Sequence, residues 1–177
     1  MSLTIFRAES DDAGALSELA AATFPLACPP DAPQENIDAF IAANFTEAKF
    51  SDYLADANRD IFLAVEEGEP VGYTMLVAGE PTDDDVRAAV TARPTAELSK
   101  FYVLPGHHGA GVAAELMAAT VSSAWDRGVE SVWLGVNNEN AKANRFYEKQ
   151  RFVNVGTKHF LVGEKLEDDF VRVLTLR

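Results

Sequence analysis

The chain has 177 residues, a formal net charge of −13 at pH 7 and a hydrophobic content of 47%. This length is typical of one domain that buries roughly 70% of its unfolded surface, and the composition argues against disorder. The acidic balance argues against nucleic acid as a partner, since phosphate binding needs a basic surface. It is compatible with cationic substrates and equally with a solvated, salt-adapted surface.

The sequence gives no sign of a membrane or an oxidising compartment. No apolar run approaches the ~20 residues of a membrane span, and residues 1–7 lack the basic-then-apolar pattern of a signal peptide. The single cysteine, Cys28, allows no internal disulfide. We therefore expect a cytoplasmic protein with no membrane partner.

The first half of the chain predicts a strand, three helices and a hairpin. Ser10, followed by Asp11 and Asp12, is typical of a helix N-cap and first turn. Proline at position 25 and again at 29, 30 and 33 predicts that this helix gives way to a loop. In chain order, the predicted elements are a strand at residues 3–7, a helix from residue 10, helices at 34–43 and 46–57, and paired strands at 61–66 and 70–78.

The second half predicts alternating strands and helices. Residues 80–95 are polar and turn-rich, which favours a surface loop with one short helical turn. The predicted elements that follow are a strand at 97–103, a helix at 110–126, a strand at 131–136, a helix at 140–150, and strands at 152–162 and 170–176. This order predicts an α/β (α+β) fold in which helices cover a mixed, mostly antiparallel sheet. Since no repeat or linker divides the chain, we expect residues 1–177 to form a single domain.

A glycine-rich segment joins the strand at 97–103 to the next helix, with Gly106, Gly109 and Gly111 in the turn. A glycine turn that opens a helix exposes backbone N–H groups at the positive end of the helix dipole, which is a ready anion site. The segment lacks the Gly-Lys-Ser/Thr of a phosphate-binding P-loop and fits the dinucleotide fingerprint poorly. From these residues alone, a phosphate site and an ordinary turn both stay open.

A second segment, residues 133–152, favours the phosphate site over the ordinary turn. Its strand ends in an asparagine-rich turn, and the following helix presents Ala143, Phe146 and Tyr147 on one face. Together the two segments resemble the GNAT superfamily of acetyl-CoA-dependent N-acetyltransferases. That family's pyrophosphate loop reads Arg/Gln-x-x-Gly-x-Gly/Ala, and its later signature reads Asn-x-x-Ala-x-x-Phe/Leu-Tyr-Glu-Lys-x-Gly-Phe. The resemblance implies the GNAT fold, with a central sheet of about seven strands flanked by helices.

A narrower resemblance concerns residues 133–141 and 156–163. These stretches look like those of bacterial PaiA-type proteins, which are similar to spermidine/spermine N-acetyltransferases.

The family resemblance implies acetyl-CoA as cosubstrate. The strand residues would hold its pantetheine arm through their backbone, and the N–H groups of the glycine loop would cradle its pyrophosphate. Asn140 would lie beside the cofactor arm, although a role as helix N-cap is equally open. The implied cofactor-binding residues are Phe101, Tyr102, Val103, His108, Gly109, Ala110, Gly111, Val112, Ala113, Ala114, Asn140 and Tyr147.

The resemblance also implies two catalytic residues. Tyr147 matches the tyrosine that faces the thioester sulfur, and a phenol of pKa about 10 can protonate a thiolate of pKa about 8.5. Core packing is the alternative role for Tyr147. A primary alkylamine of pKa about 10.4 needs about 4.6 kcal/mol to lose its proton at pH 7, so a base or a water chain is required. Glu97 is the best candidate, placed by strand alternation on the face of Phe101 and Val103, and its alternative is a solvated carboxylate.

The implied activity is direct transfer of an acetyl group from acetyl-CoA to a primary amine. A small cationic amine such as a polyamine is the expected small-molecule partner, partly because of the charge of −13. The alternatives are a protein or peptide amine, an aminoglycoside-like amine, and a non-catalytic acyl-CoA-binding regulator. Many relatives are dimers, so a homodimer is possible, but the sequence does not decide it.

The histidines and the cysteine lack metal-ligand spacing, so no metal is expected.

The chain departs from the family pattern at three positions. His108 replaces the usual Arg or Gln, and Arg151 replaces the usual Gly before Phe152. Arg151 therefore either alters the turn or takes a left-handed conformation at some cost. Polyamine-acetylating relatives often carry a further acid where this chain has Ser99, which weakens the polyamine assignment.

Overall fold

The structure is a computed structural model that describes residues 2–107, 111–162 and 164–177. Within these residues it contains seven strands and six α-helices. The strands are β1 Leu3–Arg7, β2 Arg59–Glu66, β3 Glu69–Ala78, β4 Thr95–Val103, β5 Ser131–Asn137, β6 Val153–Val162 and β7 Lys165–Thr175. The helices are α1 Ala13–Ala27, α2 Gln34–Asn44, α3 Glu47–Ala55, α4 Asp84–Ala89, α5 Val112–Asp126 and α6 Ala141–Lys149.

The strands form one sheet in the order β1-β2-β3-β4-β5-β7-β6. The pairs β1–β2, β5–β7 and β6–β7 are antiparallel, whereas β4 and β5 run parallel. This mixed sheet with its helices confirms the predicted α/β (α+β) class. Backbone contacts group the chain into one unit of Met1–Leu76 and Lys100–Ser123 and a second of Val77–Ser99 and Ala124–Arg177.

The first unit has an apolar core on each face of its strands. On one face, α5 buries Val112 and Leu116 against Phe62, Ala64 and Val71. The other core is aromatic and joins α1, α2 and α3 to β3, with ring centroids 4.7–6.3 Å apart. Its rings come from Phe24, Phe40, Phe45, Phe50, Tyr53 and Tyr73.

The second unit is built on the β5–β7–β6 ladder. On one face, Val86 and Val90, at α4 and its C-cap, pack against Trp133, Val171 and Val173. The hydroxyl of Ser131 donates to the carbonyl oxygen of Ala92 at 2.7 Å and lies 2.8 Å from Thr95 Oγ1. These bonds satisfy buried polar groups where β4 and β5 begin, so they fix the register of the parallel pair.

Three local predictions differ from the structure. Ser10 lies in a 3-10 turn, Ser10–Asp12, whose capping box is made by Glu9, and α1 begins only at Ala13. Pro25 lies inside the last turn of α1 and does not end it, although a proline there removes one helical N–H donor. β7 begins at Lys165, five residues before the predicted start, because pairing with β6 extends it.

The predicted hairpin turn and the Arg151 conformation are both observed. Glu67 and Gly68 between β2 and β3 have φ of 52° and 84°, which is the two-residue turn that suits a twisted hairpin. Arg151 has φ of 72°, so it adopts the left-handed conformation at a position where the family usually has glycine.

Among the described residues, no helix is long and apolar enough to cross a bilayer.

Candidate active site

The end of β4 and the turn after it form the first part of the candidate site. Val103 is buried in the α5 core and Phe101 packs against the same cluster. The Leu104 N–H donates to the carbonyl oxygen of Val71 at 2.8 Å, which continues the contact with β3 into the turn. Gly106 then turns the chain with φ of 88°, a conformation that favours glycine.

The start of α5 follows a glycine with positive φ. Gly111 has φ of 79°, and a Cβ there would meet nothing within 4 Å, so the turn is open on that side. Helix α5 follows at once from Val112, whose side chain is fully buried, while Ala114 is exposed. The predicted cofactor residues His108, Gly109 and Ala110 lie outside the described residues.

The side chain of His107 fastens this turn to β2. Its Nδ1 lies 2.7 Å from Glu66 Oε1, and both side chains are partly buried. The contact joins residues 41 positions apart in the sequence, so the pattern of motifs alone gives no sign of it. The contact therefore links the turn to the end of β2, at the residue just before the predicted pyrophosphate loop.

Helix α6 carries the second predicted part of the site. Asn140 is its N-cap, and Asn140 Oδ1 accepts a hydrogen bond from the Ala143 N–H at 3.1 Å. The capping role considered from the sequence is therefore confirmed. A contact between Asn140 and the cofactor stays a prediction, and capping by one side-chain oxygen is compatible with it.

Tyr147 is half-buried between two other aromatic side chains of the second unit. Its ring lies 5.5 Å from Phe146 and 5.9 Å from Phe152, centroid to centroid, both in edge-on arrangements. The Phe152 N–H donates to the carbonyl oxygen of Tyr147 at 2.9 Å, which closes the end of the helix. The packing role of the ring is thus evident, and the acid role of its hydroxyl stays a prediction.

Glu97 lies in the parallel ladder at the start of β4. It is half-buried and is the register partner of Trp133, the last of three pairs that begin with Thr95 and Ser131. The predicted pantetheine-binding residues of β4 lie beyond this ladder, in the other unit. The prediction that Glu97 shares their face stays untested.

Two buried acids in β7, Glu167 and Asp169, were not singled out from the sequence. They are 7% and 8% exposed and lie on the face of the sheet that also carries Val171 and Val173. Burial raises the pKa of Asp169 from 3.8 to about 6, with Glu167 and Asp168 adding to the rise and Lys158 opposing it. In the sequence the three consecutive acids give no local sign of burial. Because β7 already begins at Lys165, all three acids lie in a strand, and alternation buries the side chains of Glu167 and Asp169.

The pKa of Asp169 predicts a pH-dependent stability. The folded protein holds this proton more tightly than the unfolded chain, so the free energy of unfolding falls as pH rises from 3.8 to about 6. Asp169→Asn should therefore raise the free energy of unfolding at pH 7.5 by on the order of 2 kcal/mol, and by little at pH 4. Urea unfolding at the two pH values measures this difference.

Asp168→Asn is the matched control for that measurement. Its side chain is 52% exposed and lies 2.8 Å from His159 Nδ1, so no comparable gain is expected. An equal gain for Asp169→Asn at both pH values would contradict the ionic explanation, because only the charged form of the carboxyl is penalised by burial.

Comparisons with known proteins agree with the fold and with the motifs of the two segments. The chain matches the model of the acetyltransferase (GNAT) family over residues 15–152. Uncharacterised N-acetyltransferases from Mycobacterium tuberculosis and Mycobacterium bovis are 46% identical to it over 165 residues, which cover 93% of this chain and 98% of each relative.

Solved structures share the whole fold at low sequence identity. The PaiA N-acetyltransferase of Thermoplasma acidophilum, solved with coenzyme A, has a TM-score of 0.75 and 18% identity, and the match covers 99% of this chain and 100% of that one. The ribosomal-protein-S18-alanine N-acetyltransferase of Escherichia coli has a TM-score of 0.70 and 19% identity, covering 98% and 94%. At such identities the likeness shows the fold alone.

The chain belongs to the acetyltransferase (GNAT) family. It is an enzyme that transfers acyl groups, and acetyl-CoA is its cosubstrate. Within the described residues, no group of three His, Cys, Asp or Glu side chains could hold a metal ion.

Proposed function

We propose that this enzyme transfers the acetyl group of acetyl-CoA to a small, cationic primary amine, with a polyamine as the first candidate. The observation that carries the cofactor part of the proposal is the turn before α5, in which Gly111 at φ of 79° opens directly into a helix. Such a turn presents backbone N–H groups and the positive helix end to a pyrophosphate without any lysine.

The cofactor roles follow the family pattern. The backbone of Phe101, Tyr102 and Val103 holds the pantetheine arm, and the loop from His108 to Ala114 holds the pyrophosphate. Asn140 lies beside the arm while its Oδ1 caps α6. Each helix-terminus contact to an anion is worth roughly 0.3–1 kcal/mol, so several together can anchor the cofactor.

The chemistry needs three proton transfers. Glu97 removes one proton of the ammonium, directly or through water, and the neutral amine attacks the thioester carbonyl to form the C–N bond. The C–S bond then breaks and the departing thiolate takes a proton from the Tyr147 hydroxyl, while the second proton lost by the nitrogen restores that hydroxyl. Overall, acetyl-CoA and an alkylammonium give the N-acetyl amine, coenzyme A as thiol and one proton.

A cationic acceptor is supported by the charge on one face of the second unit. Glu97 and Asp169 share that face, since Glu97 pairs with Trp133 in the β4–β5 ladder and Asp169 with Asn137 in the β5–β7 ladder. Four residues of β5, about 13 Å, separate these two β5 partners along the strand. Glu167, two residues before Asp169, lies on the same face, and Lys158, the β6 partner of Asp169, adds one positive charge to it. Three carboxylates against one lysine leave this face negative, which favours a cationic acceptor.

A peptide or protein amine is the second candidate acceptor. The solved structures that share the fold include a ribosomal-protein alanine N-acetyltransferase. Ser99, where polyamine-acetylating relatives often carry an acid, weakens the polyamine assignment. A polyamine and a peptide differ in the groups around the acceptor nitrogen, so a direct assay with both distinguishes the two proposals.

An amine panel with acetyl-CoA, followed by thiol release, tests the proposal. Spermidine, spermine, an α-amino peptide, a lysine peptide and an aminoglycoside should be compared at equal concentration. Release with spermidine or spermine at a kcat/KM at least tenfold above the others is the expected result. Release with a peptide alone would overturn the substrate class. Acetyl-CoA binding with no release from any amine would favour a non-catalytic acyl-CoA-binding protein.

A further inference from the structure

We infer that Arg172 of β7, acting with Asn144 of α6, is a positioning residue for Tyr147. This inference rests on the acid role proposed for Tyr147. Arg172 is a buried cation, only 5% exposed, to which no sequence motif draws attention. All three of its guanidinium nitrogens have partners on α6 or on the residues that follow it.

The partners of Arg172 lie on both sides of Tyr147 in the sequence. Arg172 Nε donates to Asn144 Oδ1 at 2.9 Å, and Nη1 donates to the carbonyl oxygen of Phe152 at 3.1 Å. Nη2 lies 3.2 Å from Glu148 Oε1. The planar guanidinium of Arg172 therefore holds three residues around Tyr147. They are Asn144 in the turn before it, Glu148 directly after it and Phe152 beyond the end of α6.

Asn144 extends the same contact to the beginning of α6. Its side-chain nitrogen donates to the carbonyl oxygen of Asn137, the last residue of β5, at 3.1 Å, and to that of Asn140 at 2.9 Å. Asn144 is itself buried, at 8% exposed. A guanidinium on β7, the end of β5 and the N-cap of α6 are thus joined through a single amide.

The ion pair with Glu148 gives little reason for a buried arginine at this position. Replacing a buried ion pair with well-packed apolar groups is often neutral or stabilising, because desolvation offsets the Coulombic attraction. Here the Glu148 side chain is 63% exposed, so the ion pair itself is weakly buried. The geometry points instead to orientation, since a proton donor must be held within roughly 0.5 Å of its productive position.

A double-mutant cycle with Tyr147→Phe tests whether Arg172 acts through the Tyr147 hydroxyl. Arg172→Met should lower kcat by about tenfold or more in the wild-type background, with the KM for acetyl-CoA within about threefold. In the Tyr147→Phe background the same change should cost less than about twofold, because the hydroxyl that it misplaces is gone. Equal losses in both backgrounds would overturn the inference.

The conservative variant and a surface control sharpen the test. Arg172→Lys keeps the charge and loses the planar fork, so it should lose nearly as much kcat as Arg172→Met. Full activity with Lys would mean that charge alone matters and would contradict positioning. Arg145→Met, an exposed arginine on the same helix, should keep wild-type kcat. If the Arg172 variants do not fold, Asn144→Asp replaces them in the cycle with the same expected pattern.

A readout independent of turnover separates this inference from the proposed acid role. The chain has four tyrosines, so fluorine NMR of fluorotyrosine-labelled protein gives few resonances, and Tyr147→Phe assigns one of them. Arg172→Met should shift the Tyr147 resonance and leave that of Tyr73, which is in the other unit, in place. A shifted resonance with turnover insensitive to Tyr147→Phe would sink the acid role and keep the positioning. An unshifted resonance would overturn the positioning itself.

Discussion

Replacing Tyr147 with phenylalanine should lower kcat for acetyl transfer by about a hundredfold and change acetyl-CoA affinity by less than about twofold. The aromatic ring remains, so its edge-on contacts with Phe146 and Phe152 are kept and only the hydroxyl is lost. The expected loss is at the low end for a positioned acid, because a thiolate of pKa about 8.5 is already a fair leaving group.

Tyr53→Phe is the matched control for this variant. Its hydroxyl lies 3.4 Å from the Asn44 carbonyl oxygen, and its ring packs on Phe50 in the first unit. It should keep wild-type turnover. Stopped-flow detection of the released thiol and calorimetric binding of acetyl-CoA separate kcat from affinity. Unchanged turnover in Tyr147→Phe would show that the tyrosine serves only packing.

The sequence predicted the order of elements, the glycine turn before α5 and the N-cap of α6 because all three depend on local signals. Glycines at positions with φ of 88° and 79° mark the turn before α5, and an asparagine N-cap marks α6. Period-two and helical patterns located every strand and helix within a few residues, apart from the start of β7. These features follow from backbone conformation and short-range hydrogen bonds, which a sequence carries directly.

The remaining features depend on partners that are distant in the sequence. Glu66 and His107 are 41 residues apart, and Arg172 and Asn144 are 28 apart, so no local pattern announces either contact. Asp169 belongs to three consecutive acids with no local sign of burial, and its burial follows from a ladder with β6 that begins at Lys165. Pro25 was expected to end its helix, yet α1 continues to Ala27. Phe24, next to this proline, packs on Phe40 and Phe45, which are distant in the sequence.

Replacing Glu97 with glutamine should lower kcat/KM for the amine by about a hundredfold at pH 7, since the acceptor ammonium then loses its proton only to solvent. The deficit should shrink as pH rises toward the pKa of the amine, about 10.4, because the neutral amine becomes abundant without a base. Initial rates between pH 6 and 10 measure this convergence. A deficit that stays constant across that range would assign Glu97 to binding and not to proton transfer.

Asp169→Asn distinguishes the two carboxyls that could serve as the base. Their register partners on β5, Trp133 and Asn137, are about 13 Å apart along the strand, so we expect one amine nitrogen to lie beside only one of the two carboxyls. If Glu97 is the base, Asp169→Asn keeps turnover within about twofold while changing stability. If Asp169 is the base, the wild-type rate falls below a pH of about 6, where its carboxyl is protonated, and Asp169→Asn abolishes that pH limb. The second outcome would move the acceptor nitrogen to the β5–β7 end of the sheet face, beside Asn137.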